Sequence, residues 1–599
     1  MGDTVGSYVF MTYAQVEERV RNLGSGIALF NLQPKGAVGL YSVNRAEWVL
    51  AEYACYYNNF ITVPLYDTLG EEAIEHICSQ TEMEVIVASH DKALNIVRLR
   101  SKLPSIKCIV IMDDEIDAEL AQAAAKECLE LVKFTTLEKR GAEEAREPTP
   151  PSPDDLCTIC YTSGTTGLPK GVMLPHKAIL ADGSSVLALA GVGKHCKGSL
   201  EQFLFSLDSE VVHLSYLPLA HVYERVVMTT LAAVGASIGF YQGNILKLLD
   251  DIAELKPTLF VAVPRLLNRV YDKIMAGVNA AGGVKKILFN YALRSKEMNL
   301  KRTGELSHWL WDRVVFSQVR ARLGGRVVAI LSGSAPLSPE VMDFLRICFS
   351  CEVYEGYGQT ETSAGSTLTV RGDWTSGQIG VPVPCNEVKL VDIPDMGYTS
   401  QDKPYPRGEI CIRGPNCFTG YYKAPELTSD ALDSDGWVHT GDVGSWDELG
   451  RLRIIDRKKN LFKLAQGEYI SPEKIENVIS RNKYIAQAYI DGNSLKASLL
   501  AILVPDFEVL EAWAIEEGLT YGSQEELARM PEVKDLMMKQ IQGLRSELKG
   551  FEVPRDIHVE HEAFSVENGL LTSTMKLKRF EAKKHYEEIA KAIYAKMRD

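Results

Sequence analysis

The chain has 599 residues, of which 46% are apolar and 24% charged, a balance typical of a soluble globular protein with more than one domain. Its 79 acidic residues outnumber 65 basic ones and give a net charge of −14. A general nucleic-acid-binding role is excluded, because such proteins displace counterions with a basic surface. Twelve cysteines are too few for a disulfide scaffold and favour a reducing, intracellular compartment.

The first ninety residues alternate helical and strand-forming patterns. Helices are predicted over 13–30, 47–57 and 71–80, and strands over 37–42, 60–65 and 85–88. Strands that alternate with helices of about ten to fifteen residues are typical of a parallel sheet covered by helices on both faces. The predicted fold class is therefore α/β.

Three changes of composition predict the domain organisation. Residues 141–155 are charged and then rich in proline, which indicates a surface linker between subdomains. Residues 266–323 are mostly helical and basic and are interpreted as an inserted helical arm. Residues 456–460 follow a strand and are predicted to form a hinge. We expect a large N-terminal domain over 1–455, built of several subdomains with mostly parallel sheets, and a small α+β C-terminal domain over 461–599.

The stretch 161–171, Tyr-Thr-Ser-Gly-Thr-Thr-Gly-Leu-Pro-Lys-Gly, is the most informative motif. Glycines allow backbone N–H groups to approach phosphate oxygens, hydroxyls donate hydrogen bonds, and Lys170 adds positive charge. The stretch is not a Walker loop, because Gly171 stands where that loop needs a hydroxyl for magnesium. A phosphate-binding loop of another kind is predicted.

Two further motifs follow in order along the chain: 356–362, Gly-Tyr-Gly-Gln-Thr-Glu-Thr, and 440–442, Thr-Gly-Asp, the latter followed by Asp456-Arg457. Together with 161–171 they resemble the signatures of the adenylate-forming superfamily. The stretch 435–459 resembles the fatty acyl-CoA synthetase signature, with Glu448 and Arg453 where that family usually has proline and lysine. Over essentially its whole length the chain is most similar to long-chain acyl-CoA synthetases, including plant peroxisomal members.

This resemblance implies a reaction in two steps. A fatty carboxylate attacks the α-phosphorus of ATP and gives acyl-adenylate and pyrophosphate, and the thiolate of CoA then displaces AMP. Fatty acid, ATP and CoA are thus the implied substrates, with Mg²⁺ as the accompanying cation. Because two anions must meet in the first step, preorganised positive charge is the expected catalytic device.

The resemblance also assigns roles to single residues. The ATP phosphates are expected to contact Thr162, Ser163, Gly164, Thr165, Thr166, Gly167 and Lys170. The adenine is expected to be framed by Gly333, Ser334, Ala335, Pro336 and Tyr357. Thr360 is expected to contact the α-phosphate, and Glu361 to bind magnesium. Asp442 would accept the ribose hydroxyls, Arg457 would reach the ribose or the phosphate, and His221 would line the carboxylate end of the acyl pocket.

Lys576, in the small domain, is the expected catalytic lysine that bridges the carboxylate and ATP. Lys578 is a rival, since residues two apart in an extended segment share a face. The resemblance implies that the small domain is mobile and rotates about 456–460 between the two steps. Gly467 would then flank the channel for CoA.

Several alternatives stay open at this stage. An aryl- or very-long-chain acyl-CoA ligase, an adenylation domain that loads a carrier protein, or a fatty-acyl binding protein without catalysis would share these motifs. Lys170, Glu361, Asp442 and Lys576 are all present, which favours an enzyme. Acyl chain length and oligomeric state are left undetermined.

Location is predicted only by resemblance, which implies the surface of the peroxisome or the endoplasmic reticulum. No targeting signal is recognisable, so the cytosol is a further possibility. Family members usually carry several tens of residues before the stretch at 3–6, so a shortened form of the protein is expected. The tail over 576–599 is basic with apolar residues near helical spacing, which predicts either a helix docked on its own domain or a peripheral membrane contact.

Overall fold

The amino-terminal part of the chain builds the first of two large sheets. The computed structural model describes residues 6–33, 35–162, 168–192, 204–458, 460–465, 469–492, 498–572 and 575–597. The first elements in chain order are α1 (Tyr13–Ala28), β1 (Ala37–Tyr41), α2 (Ala46–Tyr57), β2 (Ile61–Leu65), α3 (Glu71–Thr81), β3 (Val85–Ala88), α4 (His90–Arg98), β4 (Cys108–Ile111), α5 (Ala118–Lys126), β5 (Glu130–Lys133), α6 (Phe134–Glu143), β6 (Leu156–Thr162) and β7 (Lys170–Pro175).

The strand order in this sheet is β5-β4-β3-β1-β2-β6-β7, and only β6 with β7 is antiparallel. Successive residues of a strand point to opposite faces, and alternate side chains of β1 and β3 enter two separate apolar clusters. Helices cover both clusters, which confirms the predicted α/β class. Residues 141–143 are the end of α6, and the segment up to 155 joins two parts of one sheet rather than two subdomains.

A second sheet of seven strands follows. Its elements are α7 (His176–Leu189), β8 (Val212–Ser215), α8 (Val222–Ala233), β9 (Ser237–Phe240), α9 (Leu248–Leu255), β10 (Leu259–Ala262), α10 (Pro264–Ala281), α11 (Gly283–Thr303), α12 (Trp311–Val314), α13 (Ser317–Ala321), β11 (Ala329–Ser332), α14 (Pro339–Phe349), β12 (Glu352–Tyr357), β13 (Thr367–Leu368) and β14 (Val381–Pro382).

The order of this sheet is β14-β13-β12-β11-β10-β8-β9, parallel from β9 to β12. Since β11 and β12 are parallel neighbours, their carboxyl ends lie at the same edge. Ligands of open α/β sheets bind outside this edge. The segments 333–336 and 358–362 follow directly from these two ends and are thereby brought together.

A smaller antiparallel sheet completes the large domain. Its elements are β15 (Glu387–Val391), β16 (Arg407–Arg413), α15 (Pro425–Ala431), β17 (Val438–Trp446) and β18 (Leu452–Arg457), with the strands in chain order across the sheet. Strand β18 continues into the predicted hinge, because Arg457 is paired with Asp442 of β17.

The remaining residues form the small α+β unit. Its elements are β19 (Phe462–Lys463), β20 (Tyr469–Ile470), α16 (Pro472–Ile479), β21 (Ile485–Gly492), β22 (Leu499–Pro505), α17 (Phe507–Glu516), α18 (Gln524–Ala528), α19 (Pro531–Gly543), β23 (Asp556–Val559), α20 (Arg579–His585) and α21 (Glu587–Lys596). All seven residues of the central strand β22 are buried, which is typical of a strand covered on both faces.

The carboxyl-terminal helices form one of these covers. Tyr586 and Tyr594 are buried against Tyr489 and Ile502 of the sheet, and Ile593 packs on the same cluster. The apolar face of the tail is therefore used inside its own domain, as the docked-helix interpretation of this segment predicts. Among the described residues, no helix combines the length and hydrophobicity that crossing a bilayer requires.

Candidate active site

The phosphate-loop motif lies on the hairpin of β6 and β7. Thr162 ends β6 and is paired with Lys170, the first residue of β7. The predicted contacts Ser163, Gly164, Thr165, Thr166 and Gly167 lie outside the described residues, as does Gly467. Lys170 directs its ammonium toward the face of Tyr421, with Nζ 5.3 Å from the ring centre. An aromatic face attracts an ammonium group, so the ring of Tyr421 helps to position Lys170.

The same tyrosine holds the predicted magnesium ligand. Glu361 lies in a short 3₁₀ helix, Thr360–Thr362, and its Oε1 accepts a hydrogen bond of 2.6 Å from the hydroxyl of Tyr421. Burial raises the pKa of Tyr421 far above its ordinary value, so that the hydroxyl stays a donor. Tyr421 thus links Lys170 and Glu361, and the motifs did not reveal it because it lies far from both in sequence.

Glu361 fits a magnesium ligand by its chemistry, since Mg²⁺ prefers carboxylate oxygens and usually completes its shell with phosphate and water. The part of the chain that the structure describes contains no cluster of three or more His, Cys, Asp or Glu side chains that could hold a metal. Glu361 would supply a carboxylate to the ion, and the phosphates of the substrate would supply other ligands.

A tight turn fixes the segment that carries Thr360 and Glu361. Gly358 has no room for a side chain, because a Cβ atom there would lie 2.0 Å from the carbonyl oxygen of Ala364. On the far side of the turn, the backbone N–H of Gly365 donates to Oδ2 of Asp182, at 2.9 Å. Thr360 itself is buried, and its side chain has little freedom to move.

Asp442 is a buried carboxylate at the centre of the site. Its Oδ2 accepts hydrogen bonds from the hydroxyl of Tyr357, at 2.7 Å, and from Nε2 of Gln359, at 2.8 Å. Its Oδ1 lies 3.2 Å from Nε of Arg457. A carboxylate offers about four lone pairs, so these three donors leave one acceptor position for a hydroxyl of a ligand. Gln359, to which the sequence analysis assigned no role, positions this carboxylate.

The predicted adenine segment follows β11. Ser334 has a φ of +78°, and a Cβ atom on Gly333 would lie 3.2 Å from the ring of Tyr223. The N–H of Leu337, directly after this segment, donates to Oε1 of buried Glu355, at 2.9 Å. Burial raises the pKa of Glu355 to about 7. Glu355 thus ties the segment 333–336 to strand β12.

His221 precedes α8 and caps it. Its Nδ1 accepts the backbone N–H of Tyr223, at 3.1 Å. Burial, and to a smaller extent the charge of Lys576, lower the pKa of His221 to about 4. The ring is therefore neutral near pH 7, and because Nδ1 accepts, its proton is on Nε2. Such a ring can donate one hydrogen bond to an anion without adding charge.

A buried ion pair fixes the helix that begins after His221. Nε of Arg225 lies 2.6 Å from Oε1 of Glu52, and both side chains are almost fully buried. Arg225 also donates to the hydroxyls of Thr158, at 2.9 Å, and Thr62, at 3.2 Å. These contacts join α8 to α2 and to strands β2 and β6, so that one buried polar cluster connects the two large sheets.

Lys576 lies in a tight turn of the small domain. Its carbonyl oxygen accepts the N–H of Thr572, at 2.7 Å, and its own N–H donates to the hydroxyl of Thr572, at 3.0 Å. Burial and the charge of Arg457 lower the pKa of Lys576 to about 8, against the opposing effects of Asp442, Glu473 and Glu361.

Charges of the large domain thus act on Lys576, and the charge of Lys576 acts on His221. The structure therefore brings Lys576, His221, Asp442, Glu361 and Arg457 into one electrostatic neighbourhood. The rival Lys578 lies at the start of α20, and its backbone N–H donates to Leu570.

Comparison with solved structures defines the class to which this fold and cleft belong. The adenylation domain of a carboxylate reductase from Mycobacterium chelonae superposes with a TM-score of 0.77 at 27% identity, covering 98% of this chain and 85% of that one. The corresponding domain from Segniliparus rugosus, in complex with AMP and a carboxylic acid, gives 0.78 at 25% identity, covering 98% and 88%. The fold is that of the adenylate-forming enzymes.

The sequence comparisons then give the family. The model of the AMP-binding enzyme family matches residues 3–422. The chain is 44% identical to long chain acyl-CoA synthetase 7, peroxisomal, of Arabidopsis thaliana, over 99% of this chain and 83% of that protein. It is 43% identical to long-chain-fatty-acid–CoA ligase 1 of Homo sapiens, over 98% and 83%. The chain belongs to the AMP-binding enzyme family, and its long-chain acyl-CoA synthetase resemblance is confirmed.

Proposed function

We propose that this protein is a long-chain fatty acid–CoA ligase that forms acyl-CoA from a fatty acid, ATP and CoA, through an acyl-adenylate, and releases AMP and pyrophosphate. The observation that carries the proposal is the convergence of a small-domain lysine, Lys576, with the carboxylates Asp442 and Glu361 of the large domain. A reaction between two anions requires a cation to neutralise their repulsion, and here that cation comes from a separate domain. A protein that only binds a fatty acid requires no such cation.

In the first step, Lys576 and Lys170 neutralise the repulsion between the fatty carboxylate and the phosphates of ATP. The Nε2–H of His221 donates to the carboxylate and leaves its nucleophilic electrons on the other oxygen. Asp442 holds the ribose through its remaining acceptor position, and Arg457 balances the charge of that carboxylate. Magnesium, when bound, supplies further charge neutralisation at the phosphates beside Glu361.

In the second step, Lys576 must leave so that CoA can reach the acyl-adenylate. The small domain rotates about 456–460, and the bridge between Arg457 and Asp442 is one of the contacts that residues of this pivot make with the large domain. Gly467, which lies outside the described residues, is the residue that the family resemblance would place beside the pantetheine channel, where a glycine permits close approach.

The substrate class is tested by AMP release with ATP, CoA and saturated acids of eight to twenty-two carbons, beside benzoate as an aryl acid. We expect the highest kcat/KM with the long-chain acids. AMP release that was greatest with benzoate would support an aryl-CoA ligase instead, and no AMP with any acid would refute the enzyme proposal.

The two half-reactions separate the roles of the two lysines. Lys576→Ala is expected to lower pyrophosphate release by at least about a hundredfold, because preorganised charge at a developing anion is worth that much. It should still convert added acyl-adenylate and CoA into thioester. Lys578→Ala is the matched control and should keep both activities. An equal loss of both half-reactions in Lys576→Ala would contradict the rotation.

We further propose that the protein works at an intracellular lipid surface, that of the peroxisome or the endoplasmic reticulum. Two relatives with 44% identity are named as peroxisomal. Fluorescence microscopy of the protein tagged at either end, beside organelle markers, tests this proposal, and a uniformly cytosolic signal would contradict it.

A further inference from the structure

Helix α11, in the helical arm, exposes an apolar stripe. The exposed members are Val284 at 80%, Ile287 at 70%, Leu288 at 38%, Tyr291 at 65% and Met298 at 66%. At 3.6 residues per turn these positions fall within an arc of about 100° on one side of the helix. The buried positions, which include Phe289 and Ala292, lie on a different side. The stripe is thus additional to the face that packs on the protein.

The stripe is held in a fixed orientation. Lys296 of α11 is buried, and its Nζ lies 2.5 Å from Oδ1 of Asp312 and 2.6 Å from the hydroxyl of Ser350. Nε1 of Trp311 donates to the hydroxyl of Ser295, at 3.0 Å. The helix is therefore anchored by polar contacts to α12 and to Ser350 at the end of α14, and the outer stripe cannot turn inward without breaking them.

The segment 309–314, which follows α11 along the chain, extends the apolar surface. The ring of Tyr291 meets the edge of Trp311, with centroids 5.7 Å apart, so that α12 lies beside the stripe. Trp309, just before α12, is 83% exposed, and Val314 is 56% exposed. Seven of the twenty-two exposed large apolar side chains among the described residues lie between 284 and 314. We call these seven residues the arm patch: Val284, Ile287, Leu288, Tyr291, Met298, Trp309 and Val314.

The charge around the arm patch has the opposite sign to that of the whole protein. Residues 264–323 contain twelve basic and four acidic residues, a net charge of +8 in a chain whose total is −14. Lys285, Lys286, Arg294 and Arg302 are exposed, and none forms an ion pair with another residue that the structure describes. Their charge is therefore available to an anionic partner.

Apolar, aromatic and basic side chains together fit a lipid surface. An amphipathic helix with tyrosine and tryptophan on its apolar face and lysine and arginine beside it binds in the interfacial layer of anionic bilayers. A second copy of the chain fits poorly, because a two-fold interface would set the basic arm of one protomer against that of the other. We propose that the arm patch is a docking surface for an anionic lipid bilayer.

This proposal deepens the proposed function, on which it rests, because a long-chain fatty acid partitions into bilayers. A ligase docked through the arm draws its substrate from the lipid phase rather than from the dilute aqueous pool.

The test is flotation of the full-length protein with vesicles of phosphatidylcholine containing 30% phosphatidylserine, beside vesicles of phosphatidylcholine alone. We expect at least tenfold tighter binding to the anionic vesicles. Binding should weaken at least fivefold when NaCl rises from 0.1 to 0.5 M, since salt screens exposed charges. Equal binding to both vesicle types, or none to the anionic ones, would overturn the proposal.

Variants assign the binding to the arm patch. Ile287→Ser with Trp309→Ser should lower binding to anionic vesicles at least tenfold, because it removes two large exposed apolar side chains. Leu246→Ser with Leu449→Ser is the matched control, with exposures of 87% and 69% outside the arm, and should bind as the parent protein does. All variants change exposed residues, and unchanged circular dichroism and Tm would verify their fold.

Two other results would reassign the surface or the function. A concentration-dependent dimer in light scattering that Ile287→Ser with Trp309→Ser abolishes, with unchanged vesicle binding, would give the patch to a second copy and refute lipid docking. AMP release from a long-chain acid dispersed in detergent, with no bilayer present, should be equal in all variants. Vesicle binding without AMP release in any of them would refute the proposed function and leave the docking surface standing.

Discussion

The lowered pKa of Lys576 makes adenylate formation depend on pH. With a pKa of about 8, the ammonium is protonated in about 91% of molecules at pH 7, in about half at pH 8 and in about 9% at pH 9. On its proposed role only the protonated form neutralises the approaching anions. The rate of pyrophosphate release should therefore fall about tenfold between pH 7 and pH 9.

The assay is single-turnover pyrophosphate release at ATP and fatty acid concentrations well below their KM, so that the profile reports the ligand-free enzyme to which the pKa of about 8 belongs. CoA is left out so that ionisation of its thiol does not add a second pH dependence. His221 stays neutral throughout this range, because its pKa is about 4, and it contributes no change. Lys576→Arg is the diagnostic variant, since a guanidinium remains protonated and should give a flat profile from pH 7 to 9.

A second variant tests the electrostatic cause. Arg457 lowers the pKa of Lys576, so Arg457→Gln should shift the descending limb to higher pH in the same assay below the KM for ATP. A parent profile that stays flat up to pH 9.5, or a limb that Lys576→Arg leaves in place, would refute the assignment of this group.

Three further predictions concern residues that support the site. Gln359→Ala removes one donor from Asp442 and should raise the KM for ATP several-fold with little change in Tm; an unchanged KM would contradict its positioning role. Arg225→Met leaves the buried carboxylate of Glu52 without its partner and should cost about 3 to 5 kcal/mol in urea unfolding, whereas the exposed control Arg313→Met should cost little. Glu355 has a folded pKa of about 7 against an ordinary 4.5, so the unfolded chain releases its proton first as pH rises; the stability contributed by this carboxyl falls by about 3 kcal/mol from pH 4.5 to pH 7. Glu355→Gln should reduce the corresponding decline in Tm between pH 4.5 and pH 7. An equal decline in the parent protein and the variant would show that Glu355 is not its cause.

The sequence predicted the elements of the first sheet because each has a local signature. The strand predicted over 85–88 matches β3, and the other early elements differ at their ends by two residues at most. Strand order carries no local signature, which is why 141–155 suggested a subdomain boundary although it joins two parts of one sheet.

The residues of the candidate site also divide into those with a local sequence signature and those without one. Motifs revealed residues whose type and spacing are distinctive, such as Lys170 and Glu361. Tyr421 and Gln359 could not be found so, because their roles arise from contacts with residues about sixty to eighty positions away along the chain. Helical spacing in the tail predicted an apolar face but not what packs against it. In the structure this face packs against the sheet of the small domain.

The cross-strand pair of Asp442 and Arg457 has a consequence for the order of events. The carboxylate proposed to hold the nucleotide forms an ion pair with Arg457, the second residue of the hinge segment 456–460. Binding of the nucleotide at Asp442 and the orientation of the hinge are then thermodynamically linked. Linkage is reciprocal: if AMP binds ten times more tightly in one orientation of the small domain, bound AMP favours that orientation tenfold. Departure of the spent nucleotide and resetting of the enzyme would then proceed as one coupled event rather than as two independent ones.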